Sequence, residues 1–279
     1  MFDKLLKVIP KSLLIRIYFL YKHHTFLSIK NPKKFSELIQ RRKFNLIKEY
    51  SSLSDKYVVR SYVSDKIGKN YLIPLIGVYN NVNEIDYNLL PSSFVMKTNF
   101  GSGNSHIEIV KDKKNIDYEK LKKKFSLALD LSYRGSLLGE NHYDLIERKI
   151  IVEQFINNNG NDIEDFKFHI FNSKDGFLQI DFDRFTKHKR NLYDFNWEAL
   201  PYGLLYPSGV YTLPDLELLN KMKEVAFKLS EGFDYVRVDL YLVNGQVLFG
   251  EMTFTPGSGF ETFTDVKAEF KYGSMWLDM

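Results

Sequence analysis

The chain has 279 residues, with 39 Lys and Arg against 35 Asp and Glu for a net charge of +4, and 44% of its residues are hydrophobic. That balance, with 16 Gly and 8 Pro in no fixed period, excludes collagen-like, low-complexity and disordered chains, and the length is enough for one two-lobed domain or a small domain joined to a larger one. The absence of cysteine excludes disulfides, thiol catalysis and Cys-ligated zinc, and accords with a reducing cytoplasm.

Charge is concentrated at the start. Residues 1–48 carry 12 Lys and Arg but only Asp3 and Glu37, so the rest of the chain is net acidic. The apolar run Leu13–Leu20 is cut by Arg16 and falls short of the roughly 20 residues that span a bilayer. No small-residue cleavage site follows it, so neither a membrane span nor a secretory signal is expected, and the protein is placed inside the cell. Two readings of the basic segment stand side by side. It is an amphipathic helix packed on the body with a solvated cationic face, or a surface that attracts a polyanion such as anionic lipid at the inner membrane face or an acidic glycan. Nucleic acid is disfavoured, since no helix-turn-helix, zinc-finger or RNP pattern appears.

Helical spacing runs over residues 35–50 and 55–67, the second with Ser54 as N-cap and Gly68 as stop. Residues 71–91 read as short strands and loops, and Phe94–Lys97 as a strand running into Asn99-Phe100-Gly101-Ser102-Gly103. A helix is expected over 118–132 and a strand over 149–156, followed by a hinge-like polar loop at 157–161. A hairpin then joins 165–171 to 177–183 across Ser173–Gly176. Residues 184–214 read as irregular and basic near Lys187, Lys189 and Arg190. Leu216, Leu219, Met222, Val225, Ala226 and Leu229 mark a helix stopped by Gly232. A final hairpin pairs 235–242 with 246–253, ahead of Pro256-Gly257-Ser258-Gly259.

Asp239 sits in an otherwise apolar strand and Glu251 in its partner, and buried acids need partners. Magnesium is one, since it takes one or two carboxylates with waters and nucleotide phosphates. A two-residue turn at Asn244-Gly245 pairs Val243 with Gln246 and puts the two acids on opposite faces, which would remove the metal site. A three-residue loop Val243-Asn244-Gly245 pairs Arg237 with Glu251 and gathers Arg237, Asp239 and Glu251 on one face. The alternative to a metal site is a cross-strand ion pair. The loop after Lys97 lets backbone N–H groups approach phosphate, with the lysine as point charge; the alternative is a plain hairpin loop. His106, His142, His169 and His188 lack metal-ligand spacing, and His169 reads as structural.

The segments SDKYVVR, FVMKTNFGSG, IIVEQFI, DFKFHIF and DYVRVDLYLVNGQVLFGEMTFTPGSGF, in this order, resemble the ATP-grasp superfamily. NPKKFSELIQRRKF, SDKIGKNYLIPLIGVY and DFDRFTKHKRNLYD are similar to its TupA-like branch, found in teichuronopeptide and other bacterial surface-polysaccharide pathways, over roughly residues 30–265. The resemblance implies an α+β fold in which two lobes clamp ATP. A basic helical extension would occupy residues 1–50 and an ATP-grasp domain 51–279, its flap lobe at about 92–157 and its carboxy-terminal lobe at about 158–279. It implies nucleotide binding by Lys56 and Lys97, by the flap Gly101, Ser102 and Gly103, and by the hinge Glu153, Gln154, Phe155 and Ile156, with Asp165 or Lys167 near the ribose. It implies magnesium on Asp239, Glu251 and Thr253, and catalysis by Arg237 with Lys97 and Arg184. The acceptor would meet Gly257, Ser258 and Gly259 and a basic wall of Arg184, Lys187 and Arg190 suited to an acidic sugar or glycan carboxylate, which an amine or amino acid would attack. Thr253 stands where relatives commonly have Asn, and Phe100 where they often have His. The implied activity is carboxylate–amine ligation in capsule or related biosynthesis. The alternatives are a glycosyltransferase or sugar kinase of the same pathway, and a non-catalytic nucleotide- or glycan-binding module.

Overall fold

The computed structural model describes residues 10–45, 47–130, 134–158, 163–184 and 186–278. Four helices come first: α1 (Lys11–His23), α2 (Phe35–Phe44), α3 (Lys48–Ser54) and α4 (Val59–Ile67). Strands β1 (Leu75–Tyr79), β2 (Phe94–Thr98), β3 (Ile107–Val110) and β4 (Ile150–Gln154) follow, with α5 (Tyr118–Asp130) and α6 (Arg134–Leu137) between the last two. The remainder is β5 (Asp165–Phe171), β6 (Asp175–Phe182), β7 (Lys189–Tyr193), α7 (Leu216–Ser230), β8 (Tyr235–Val243), β9 (Gln246–Thr253) and α8 (Val266–Leu277). The strands form two antiparallel sheets, ordered β1-β4-β2-β3 and β7-β6-β5-β8-β9.

Several boundaries differ from the sequence reading. The helix expected over 35–50 is two helices, because Asn45 is extended and closes α2. Ser54 ends α3 and does not cap α4; instead the Asp55 carboxylate accepts the backbone N–H groups of Tyr57 at 2.8 Å and Val58 at 3.2 Å. Gly68 does close α4, at φ 103°. The 184–214 stretch contains β7, which pairs with β6. α8 was not anticipated, although its buried Ala268, Tyr272 and Trp276 recur every fourth residue. Part of the loop expected over 157–161, and the end of the helix expected over 118–132, lie outside the described residues.

The larger sheet divides its residues by strand alternation. One face buries Phe166, Phe168, Ile170, Val236, Val238 and Leu240 under Met222, Val225, Ala226 and Leu229 of α7. The other face is apolar at one end, where Phe171, Phe177 and Tyr235 meet Phe35 of α2 and Tyr272 and Trp276 of α8, and polar in its middle. Part of the basic N-terminal charge is internal, at Arg42 and Lys43. Arg42 is buried, donates to the carbonyls of Tyr235 at 2.8 Å and Phe254 at 3.1 Å, pairs with Asp234, and lies 4.3 Å from the Trp276 ring. Tyr50 stacks on Phe254 at 4.1 Å, so α2 and α3 share the core of the carboxy-terminal sheet.

His142 is buried in the short turn Asn141–Leu145, and its Nε2 has no hydrogen-bond partner among the described residues. Burial, with Arg42 and Lys43 nearby, pushes its imidazolium down to about 4. The unfolded chain therefore binds a proton that the folded chain does not between pH 6.5 and about 4, so stability rises with pH across that window. Urea titrations are expected to lose about 3 kcal/mol on going from pH 6.5 to 4 through this group. His142→Leu is expected to flatten that part of the profile, and an unchanged slope in the variant would refute the assignment.

Candidate active site

The polar face of β5, β6, β7, β8 and β9 is organised in rungs, because residues directly opposite in register project to one side. The first rung runs Arg190, Asp181, Asp165, Tyr241; the next Gln179, Lys167, Asp239, Glu251; the third Phe177, His169, Arg237, Thr253. Asp165 and Asp181 stand opposite each other, which is unfavourable for like charges unless cations intervene. Lys167 intervenes: its Nζ is 3.2 Å from Asp165 Oδ2, 3.3 Å from Asp181 Oδ2 and 3.5 Å from Asp239 Oδ2. Burial pulls the Lys167 ammonium down, and Asp239, Asp165 and Asp181 more than offset it, so it stays charged.

Arg237 holds Asp239 with a bidentate fork, Nε to Oδ1 and Nη2 to Oδ2 both at 2.7 Å. Its Nη2 also reaches Glu251 Oε1 at 3.2 Å and Thr253 Oγ1 at 3.1 Å. Burial pushes the Glu251 carboxyl up, but Lys56, Arg237 and Lys167 outweigh it and hold it at about 2.

The route by which Asp239 and Glu251 come to share a face corrects both registers considered from sequence. The turn is the two-residue one, with Val243 opposite Gln246 and both Asn244 and Gly245 at positive φ. A β-bulge at Gly250 then skips one residue of β9, so that Leu240 faces Phe249 and Asp239 faces Glu251. Arg237 consequently stands opposite Thr253 and reaches Glu251 diagonally. A Cβ at Gly250 would lie 3.0 Å from the Asp239 carbonyl oxygen and 3.1 Å from the Tyr241 ring, so the bulge selects glycine.

The smaller sheet brings the glycine-rich loop after β2 to this face. Lys56 Nζ donates to the Gly101 carbonyl at 3.0 Å and lies 3.4 Å from Glu251 Oε2, tying flap loop to carboxylate. The loop from Asn99 to Ser105 joins β2 to β3 and is therefore also the hairpin loop of the alternative reading; Ser102 and Gly103 are exposed at its tip. A Cβ at Gly101 would lie 2.1 Å from the His106 ring, and Phe100 is buried beneath Arg148, 5.1 Å away. Lys97 and Glu153 pair with each other at 2.6 Å, and Arg60, unassigned from sequence although it closes SDKYVVR, holds the other Glu153 oxygen at 3.2 Å.

Past Glu153, residues Gln154, Phe155 and Ile156 border a groove of about 580 Å³ that Val243, Gln246 and Leu248 close from the larger sheet. Those three belong to the polar face, two and more residues along from Asp239 and Glu251. The groove thus lies along the same face of β8 and β9 as the charged site.

The basic wall expected from sequence is not continuous. Arg184 pairs with Asp165, and Arg190 is buried between Asp181 at 2.6 Å and Glu261 at 3.0 Å; Lys187 is exposed. His188 lies 3.1 Å from Asp181, and His169 is satisfied by Tyr235 Oη at 2.8 Å and Gln179 Oε1 at 3.1 Å, the structural role expected of it. Gly257, Ser258 and Gly259 all have positive φ, and α1 and α2 hold them in place. Gln40 donates to the carbonyls of Ser258 and Gly259 at 2.9 and 3.0 Å, and Lys43 bonds Ser258 O and Oγ at 2.8 and 3.0 Å. Burial pushes the Lys43 ammonium down to about 7, against the pull of Glu140. Lys43 and Glu140 were missed from sequence because only the packing of α2 brings them to this turn.

Among the described residues no group of three or more His, Cys, Asp or Glu forms a protein-only metal cage. Two facing carboxylates with the Thr253 hydroxyl nonetheless fit magnesium, which leaves most of its shell to water and phosphate.

Two α+β lobes, one with a glycine flap and the other with an Arg-x-Asp strand facing a glutamate, are the architecture of an ATP-grasp protein. The TupA-like ATPgrasp family model matches residues 36–276, and the chain belongs to that family. Solved structures give a likeness of fold. The D-alanine-D-alanine ligase of Helicobacter pylori is 16% identical with a TM-score of 0.46, over 81% of this chain and 61% of that one. The ATP complex of the Bacillus anthracis D-alanine–D-alanine ligase is 17% identical with a TM-score of 0.44, over 82% and 64%. The L-amino acid ligase of Bacillus licheniformis is 16% identical with a TM-score of 0.45, over 75% and 45%. The chain thus spans less than two thirds of the length of these proteins. No curated protein matches it.

Proposed function

We propose that this protein is an ATP- and magnesium-dependent carboxylate–amine ligase that forms an amide through an acyl phosphate. The observation that carries this reading is the one face on which Arg237, Asp239 and Glu251 meet the Lys56–Gly101 contact. The base of ATP would occupy the groove beside Gln154, Phe155 and Ile156, with Asp165 and Lys167 on the ribose side. Its phosphates would lie between Lys56 and Lys97 beneath Gly101, Ser102 and Gly103. Asp239, Glu251 and Thr253 would hold magnesium, which when bound neutralises phosphate charge.

The substrate carboxylate oxygen attacks the γ-phosphorus and ADP leaves. An amine nitrogen then attacks the acyl carbon, and phosphate leaves as the amide forms. Arg237, fixed by Asp239, would face the oxygens on which negative charge builds in both steps. The acceptor would lie against the Gly257–Gly259 turn, with Arg184 and Lys187 toward an acidic substrate. The carboxylate would be that of a uronic acid in a capsular or other surface polysaccharide, or of an amino acid joined to it, a reading that rests on analogy with surface-polysaccharide pathways.

ADP release with magnesium, a uronate-containing acceptor and an amino acid tests the reading. Glu251→Gln is expected to lower the rate by about 10²-fold or more. Turnover at the wild-type rate in that variant would show that Glu251 is not a metal ligand. Nucleotide binding without ADP release under any acceptor would favour the binding-module alternative.

A further inference from the structure

Helix α1 has two apolar sides, only one of which the described residues cover. Ile15 and Phe19 pack on Leu27 and Phe260. On the opposite side, at the helical spacing i, i+4, i+7 and i+8, Leu13, Ile17, Leu20 and Tyr21 face outward, and Phe26 extends the patch just beyond the helix. Leu13 is 48% exposed, Ile17 54%, Tyr21 69% and Phe26 83%, a contiguous outward set that a chain with no further partner has no reason to keep.

The segment that carries this patch has charge of one sign: it contains Lys11, Arg16, Lys22 and Lys30, and residues 10–36 contain no Asp or Glu at all. Lys22 Nζ lies over the Tyr21 ring, 5.6 Å from its centroid. A second copy of the chain is a poor occupant, since a two-fold interface would set the same cations against one another. An apolar stripe rimmed by cations matches a surface with an apolar interior and an anionic outer layer.

We infer that the outward face of α1, with Phe26, docks this protein on an anionic lipid bilayer. Leu13, Ile17, Leu20, Tyr21 and Phe26 enter the boundary between headgroups and acyl chains, while Arg16, Lys22 and Lys30 meet acidic headgroups. No helix among the described residues is long and apolar enough to cross the membrane, so the attachment is peripheral. His23, on the protein side of the same helix, contacts the Gly259 carbonyl at 3.0 Å, so the docked surface lies next to the turn at Gly257–Gly259.

Co-sedimentation of the full chain with vesicles tests this without any assay of turnover, so its failure leaves the proposed ligation standing. Partition onto vesicles of phosphatidylcholine with phosphatidylglycerol is expected to exceed that onto phosphatidylcholine alone by about tenfold or more, and to weaken with salt. The exposed triple variant Ile17→Ser, Leu20→Ser, Phe26→Ser is expected to lose about tenfold or more of that partition at unchanged melting temperature. The variant Arg16→Gln, Lys22→Gln, Lys30→Gln is expected to lose the preference for anionic vesicles. No partition at low salt, or partition indifferent to the serine variant, overturns the inference. So does a concentration-dependent dimer in sedimentation equilibrium that the serine variant dissociates, which would assign the face to a second copy.

Discussion

Lys167→Met is expected to destabilise the folded chain by about 3–5 kcal/mol at pH 7.5, measured by urea unfolding. Lys167 is the cation that lets Asp165, Asp181 and Asp239 share one buried patch, and methionine fills its stem volume while leaving the three carboxylates without its charge. Each acid keeps one other cation, Arg184, Arg190 and Arg237 respectively, so the site is weakened and not emptied of positive charge. The pH dependence identifies the cause. Burial already pushes the Asp239 carboxyl up against the pull of Arg237 and Lys167, and losing Lys167 pushes it up further, so the variant's deficit narrows as pH falls. A deficit constant between pH 7.5 and 5 would point to lost packing and away from charge.

Arg237→Lys is expected to lower ADP release by about 10³-fold while changing nucleotide affinity and melting temperature little. Lysine can meet Asp239 at one point, but it cannot make the bidentate fork and at the same time reach Glu251 and Thr253. The planar guanidinium would be needed where charge accumulates on the acyl phosphate and its tetrahedral successor, not where ATP first binds, so the loss belongs in kcat. An equal loss of nucleotide affinity would make Arg237 a binding residue.

Comparable questions of face and register decide how much of this site can be read in advance. Alternation alone puts Arg237 and Asp239 on one side of β8, and it likewise groups Asp165, Lys167 and His169 on β5. The strand at Ile150–Gln154, the glycine loop and the helix stop at Gly68 each carry a local signal that the structure follows. Arg60 and Glu140 carry none, since they act through contacts 93 and 115 residues distant, with Glu153 and with Thr255.

By itself the sequence determined the α+β alternation of elements, the strand-period pairing of Arg237 with Asp239 on one face, and the concentration of cations in the first 48 residues. Only the tertiary structure decided the face of Glu251, because a bulge depends on the room left at Gly250 by the Asp239 carbonyl and the Tyr241 ring, atoms of the neighbouring strand. It also decided the fate of the basic residues. Arg42 became a core residue between Trp276 and two carbonyls, Arg190 a buried partner of Asp181 and Glu261, and Arg16 a surface cation. The reason is the same in each case: a charge is inside or outside according to whether distant elements supply its hydrogen-bond partners, and composition carries no record of that distance.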